Sequence, residues 1–204
     1  MSHPCRPSRE RREFYRIDDF VLLEHRPVGE TDVLRIRETL ADRVPDRFTV
    51  AANFESGSRA MAHLLGGFSN RSPELARCLR QIDQKLNHLA RLFVLEQVAP
   101  DSREPVRVNL SAGGLVFPSA RQYGQDERLE VRLILLPEAL GILAVGRVVH
   151  CKRIDVDIGN RPWQVAVAFE HIRESDRDLI CSHIMQRDAE MRRERREAEE
   201  GGGD

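Results

Sequence analysis

Three kinds of apolar spacing succeed one another along the chain. Residues Phe14 to Val28 (FYRIDDFVLLEHRPV) are apolar and β-compatible and end at Pro27 and Gly29, which predicts a first strand. From Glu30 to Val98 the apolar residues recur at helical intervals instead. After the punctuation GGFSNRSP, Ser72 stands where it can cap a helix, and Pro73 takes the first helical position, where a missing N–H costs nothing. Leu75, Leu79, Ile82, Leu86, Leu89 and Phe93 then follow with spacings of 4, 3, 4, 3 and 4, a heptad seam. Such a seam either lies on the core of its own domain or packs against another chain. Ala76 and Ala90 on its flank, with Leu92 and Leu95 beside it, widen the apolar face beyond a two-helix contact and point to intermolecular packing.

From Arg103 the period returns to two: Val106, Val108 and Leu110; Leu129, Val131, Leu133 and Leu135; Ile142 to Cys151; Trp163, Val165, Val167 and Phe169. The turns between these runs hold Gly113-Gly114, YGQD at 123–126, Pro137 and IGNRP at 158–162. Several short strands with no helices between them predict an antiparallel barrel or sandwich. Ser175, with Asp178 three residues on, opens a final helix to about Glu200, where opposite charges at Asp188/Arg192 and Arg193/Glu197 mark a solvated helix that frays into GGGD.

At 204 residues, 41% hydrophobic and 32% charged, with a net charge of −1, the chain reads as one soluble globular domain, or one with an elaboration. Near-neutrality argues against a partner that needs a globally basic surface. Lys85 and Lys152 are the only lysines among 32 basic residues, so bidentate guanidinium groups dominate the cationic chemistry. Locally the balance differs, since Arg6, Arg9, Arg11, Arg12 and Arg16 outnumber Glu10 and Glu13 and make a mobile basic arm of the first sixteen residues. No apolar run approaches the roughly 20 residues that span a bilayer, so no membrane insertion and a cytoplasmic location are expected. Cysteines 5, 78, 151 and 181 are too widely spaced for a metal knuckle and are expected as reduced thiols. No zinc-type histidine spacing, nucleophile elbow or phosphate loop is present, so the expectation is a protein that is not an enzyme and needs neither cofactor nor metal.

Two motifs remain. Arg12 and Arg16, with Arg11 alongside, form R-x-x-x-R just ahead of the first strand, and Asn109, Ser111 and Gly114 form N-x-S-x-x-G at a strand end. In this order they resemble the PilZ family of cyclic di-GMP receptors. The resemblance covers roughly residues 1–29 and 99–196 and is similar to the subgroup with a long helical insertion, which associates into oligomers. It implies a mainly β fold: a six-stranded antiparallel barrel from 17–29 and 99–174, an α-helical insertion at 30–98, and a C-terminal helix and tail at 175–204. It also implies a ligand site at Arg11, Arg12, Arg16, Asn109, Ser111, Gly113 and Gly114. The residue types suit that ligand, because a guanidinium can grip a guanine O6/N7 edge or a phosphate. Asn109 and Ser111 can hydrogen-bond base or ribose, while the glycines admit a close backbone.

The expected function is non-enzymatic sensing of cyclic di-GMP, with homo-oligomerisation through Leu75 to Phe93 and an unidentified downstream protein partner. The alternative is an oligomeric structural or adaptor module whose dinucleotide motif is not functional. Taken singly, Asn109 and Ser111 also suit a plain turn, and Trp163 either stacks on a guanine or lies in the core. Nucleic acid is not expected as a partner, since six acids accompany five arginines between Arg187 and Glu200 and leave no basic stripe.

Overall fold

The computed structural model describes residues 14–41, 47–68, 72–99, 102–154 and 160–201. Strands β1 (Ile17–Pro27), β2 (Val106–Ser111), β3 (Gly114–Ser119), β4 (Arg128–Leu135), β5 (Leu140–Arg153) and β6 (Trp163–Ile172) pair antiparallel and close in the order β1-β2-β3-β6-β5-β4. The alternation of apolar residues sets which wall faces in. Leu110, Phe117, Leu129, Leu133, Ile142 and Val165 fill the interior at 0–1% exposure. The mainly β barrel with helical additions is therefore the observed architecture.

Three helices separate β1 from β2 along the chain: α1 (Glu30–Ala41), α2 (Val50–Phe68) and α3 (Pro73–Glu96). They cover the outer wall of β1, β4 and β5, which is why Leu22, Ile134, Leu143 and Val145 are buried although they point away from the barrel axis. The approach is close at Gly141, where a Cβ would stand 2.0 Å from the Phe48 carbonyl oxygen. Arg173, at the end of β6, fixes the joint. Its Nε and Nη2 donate to the Leu40 and Thr39 carbonyls at 3.1 and 2.9 Å, and its Nη1 donates to Thr49 and Asn53 at 3.3 and 3.2 Å. One guanidinium thus holds the C-terminus of α1 and the N-terminus of α2.

Helix α3 settles the question its spacing raised. All six seam residues, Leu75 to Phe93, are exposed, at 36–54%. Its own domain does not cover the seam. Two details of the sequence reading are corrected. Ala76 and Ala90 do not widen the outward face but are buried at 1%, on the side where Ser58 of α2 bonds Asp83 and Asn87 of α3. Ser72 occupies the N-cap position, yet its side chain makes no cap bond, and only its carbonyl takes part, accepting from Ala76 N at 3.1 Å.

Helix α4 (Glu174–Gly201) closes one end of the barrel through Leu179, Ile180 and Ile184. Beneath it His183 Nε2 lies 2.6 Å from Asp19 Oδ2 of β1, and Arg187 Nε reaches the other Asp19 oxygen at 3.4 Å. Burial raises the Asp19 pKa, but the His183 hydrogen bond, a backbone bond and the charge of Arg187 act against it, and the carboxyl is held below its ordinary value. No helix among the described residues is long and apolar enough to cross a membrane.

Candidate functional site

The two motifs converge through strand register. Ile17 pairs with Leu110 and Asp18 with Asn109, and Arg16 and Ser111 are the chain neighbours of the first of these pairs. The last arginine of R-x-x-x-R and the serine of N-x-S-x-x-G therefore share one edge of the barrel, although 94 residues lie between them in sequence (17 to 110). Arg16 is exposed. Arg11 and Arg12, with most of the basic arm, lie outside the described residues.

The hairpin turn between β2 and β3 is pinned from three sides. Ser111 Oγ donates to the Gly114 carbonyl at 3.0 Å, Phe169 N donates to the Gly113 carbonyl at 2.9 Å, and Arg177 Nη1 of α4 donates to the Ala112 carbonyl at 2.8 Å. Both glycines are needed for space. A Cβ on Gly114 would stand 2.1 Å from the Val167 carbonyl oxygen, and one on Gly113 would stand 2.8 Å from the Phe14 ring. The Phe14 ring thus lies against the turn at Gly113. Ser111 is buried and its hydroxyl proton is engaged, which makes it a shaping residue for the turn in this state.

Asn109 points outward beside Arg107. Its Nδ2 donates to Asp18 Oδ1 at 2.8 Å, and Arg107 Nη2 donates to Asp18 Oδ2 at 3.0 Å. The Asn109 hydrogen bond first, and the Arg107 contact after it, hold the Asp18 carboxyl below its ordinary pKa against a small opposing effect of burial. Arg107, Asn109, Val116, Pro118, Arg161 and Gln164 line a cleft of about 490 Å³ on this bare wall of the barrel.

Arg107, Asp18, Arg161 and Gln164 were not singled out from the sequence. Arg107 was within reach of it, since a residue two positions before Asn109 on a strand shares its face. Asp18, Arg161 and Gln164 depend on pairing between distant strands. Trp163 falls on the face of β6 shared with Val165 and Val167, opposite to the face of Gln164, so it is turned away from the Asn109 cleft.

At the barrel end away from α4, His25 hydrogen-bonds Tyr123 through Nδ1 at 2.7 Å and lies 4.6 Å from the Phe117 ring, centre to centre. Burial first, then the positive charges of Arg161 and Arg121, push its pKa down to about 4.

The described residues thus place a polar outer cleft on a six-stranded barrel, next to the residues that lead into β1. Residues 90–186 match the PilZ domain family model. The match begins inside α3, so N-x-S-x-x-G falls within it, whereas β1 and the arm, set apart by the insertion, do not. Among solved structures, a pathogenic protein from Xanthomonas campestris, described as a tetrameric PilZ domain self-assembled via a helical bundle, is similar in fold. It is 11% identical, with a TM-score of 0.50, over 88% of this chain and 91% of that one. No curated protein matches the chain.

Proposed function

We propose that this protein is a cyclic di-GMP receptor that binds the dinucleotide on the outer wall of β1, β2 and β3 and acts as an oligomer joined through α3. The observation that carries the reading is the β1–β2 register, which pairs Ile17, next to Arg16, with Leu110, next to Ser111, and sets Asp18, Arg107 and Asn109 together beside an open cleft. Arg12 and Arg16 grip guanine edge and phosphate, Arg11 assists, Asn109 Oδ1 accepts from the base, and Ser111, Gly113 and Gly114 hold the turn close to the ligand. No metal clamp or positioned base is built into this row, so the ligand is expected to leave unchanged. The domain organisation follows: the barrel receives the ligand, the insertion assembles the chain, and a downstream protein reads the result.

The exposed heptad seam supports the assembly part. Six large apolar side chains on one solvent-facing stripe are the kind of surface that a second copy covers. The similarly folded Xanthomonas protein is described as self-assembling through helices.

Titration calorimetry with cyclic di-GMP tests the binding part. Each charge-assisted contact to base or phosphate contributes about 1–3 kcal/mol, so Arg16→Ala is expected to weaken binding by about five- to over a hundred-fold. Wild-type protein that gives no heat at about 100 μM ligand, with ligand recovered intact, rejects the receptor reading and leaves the assembly module.

A further inference from the structure

Phe14 and Tyr15 do more than approach the hairpin turn. Together with Ala112, Cys181, Ile184 and Met185 they line an apolar groove of about 590 Å³ between the arm and the outer side of α4. Met185 is 73% exposed in it, the most exposed large apolar side chain among the described residues. At one end the groove is bounded by Arg192, Arg193 and Arg196, all exposed, with Asp188 as the single acid among the lining residues. Asp188 is already engaged, since it accepts from Tyr15 Oη at 3.2 Å and pairs with Arg192. The surface therefore combines an apolar trough, about as long as two to three helical turns of α4, with a rim of net positive charge.

We infer that this groove is the docking surface for the downstream partner, and that the partner presents an amphipathic helix with an apolar stripe and acidic residues on its flank. The charge complementarity selects acidic over basic flanks, and the unbranched, polarisable Met185 suits a stripe of Leu or Phe anchors. The inference rests on the receptor reading for one feature. Phe14 and Tyr15 form a wall of the groove and immediately precede Arg16, so a ligand that fixes Arg16 also fixes that wall. Cyclic di-GMP should then tighten partner docking by holding Phe14 and Tyr15 in the conformation that forms the wall.

The test uses the full chain and two fluorescein-labelled model helices, each with Leu at i, i+3, i+4 and i+7, one flanked by Glu and the other by Lys. Fluorescence anisotropy should show the Glu-flanked helix binding at least tenfold more tightly than the Lys-flanked one. Binding should weaken at least tenfold in Met185→Asp and in the double variant Arg193→Glu/Arg196→Glu, both surface changes whose folding circular dichroism verifies. Saturating cyclic di-GMP should strengthen it several-fold. Equal binding of the two helices, or indifference to Met185→Asp, overturns the inference. So does a preference for phosphatidylglycerol vesicles over the Glu-flanked helix, which would make the surface a membrane contact. If the helix binds as expected but cyclic di-GMP gives neither heat nor tightening, the groove stands and the receptor reading fails.

Discussion

The neutral histidine at the barrel mouth makes the fold sensitive to mild acid, and its size can be worked out. His25 has a folded pKa of about 4 against an ordinary 6.5. As pH falls through 6.5 the unfolded chain takes up a proton that the folded barrel refuses until near 4. The contribution of His25 is therefore complete above pH 6.5 and is lost progressively toward pH 4. Between pH 7.5 and pH 5.0 these two values remove about 2 kcal/mol of stability. The sole tryptophan, Trp163, lies in β6 and reports barrel unfolding by fluorescence in urea. The other histidines and the carboxylates also titrate, so the comparison is between wild type and His25→Gln, which keeps a polar partner for Tyr123 but has no proton to gain. Wild type should lose about 2 kcal/mol more than His25→Gln over this interval. An equal loss in both would show that His25 is not held neutral by its burial and by Arg161 and Arg121.

Replacing Leu79 and Leu86 with glutamate puts charge into the middle of the α3 seam. Light scattering should then show a monomer at tens of micromolar with an unchanged barrel spectrum, and a wild-type monomer under the same conditions would remove the seam as an interface. Gly141→Ala pushes a methyl into the Phe48 carbonyl. Overpacking of this kind costs about 1–3 kcal/mol, read as a lower urea midpoint, and an unchanged midpoint would mean that the insertion does not sit tightly on β5.

Much of this fold was legible because period and burial coincide where only one face is covered. β2 alternates along Val106, Val108 and Leu110, and β4 along Leu129, Val131 and Leu133, since polar residues, Arg107 and Asn109 in β2 and Glu130 and Arg132 in β4, occupy the outward positions between them. β5 breaks the alternation from Leu140 to Gly146, all buried, because the insertion covers its second face, and no local pattern announces that. β3 carries little strand signal in its sequence. Its Pro118 and the preceding Gly113-Gly114 read as turn chemistry, although the carbonyls and the flanking amides of that short strand still pair. The heptad seam was legible, but the direction of Ala76 and Ala90 depended on α2, whose partner face is defined only in three dimensions. The candidate site divides in the same way. Asn109, Ser111 and Gly114 stand in one motif, whereas Asp18, Arg161 and Gln164 join it through pairing across the sheet.

The position of the insertion between β1 and β2 has a kinetic consequence. The strands that carry the two halves of the proposed ligand site are hydrogen-bonded neighbours, yet Val28 to Pro105 must be folded away before they can pair. Closing a disordered excursion of that length, rather than a five-residue hairpin, costs roughly 2–3 kcal/mol more in chain entropy. Helices form from local contacts within microseconds, whereas pairings distant in sequence wait for closure. The α2–α3 hairpin can shorten the excursion before β1 and β2 meet, and Arg173 draws the end of α1 and the start of α2 toward β6. A ligand that bridges the arm and the β2–β3 turn therefore acts as a tether across the longest closure in the barrel, and should slow its opening more than it speeds its formation.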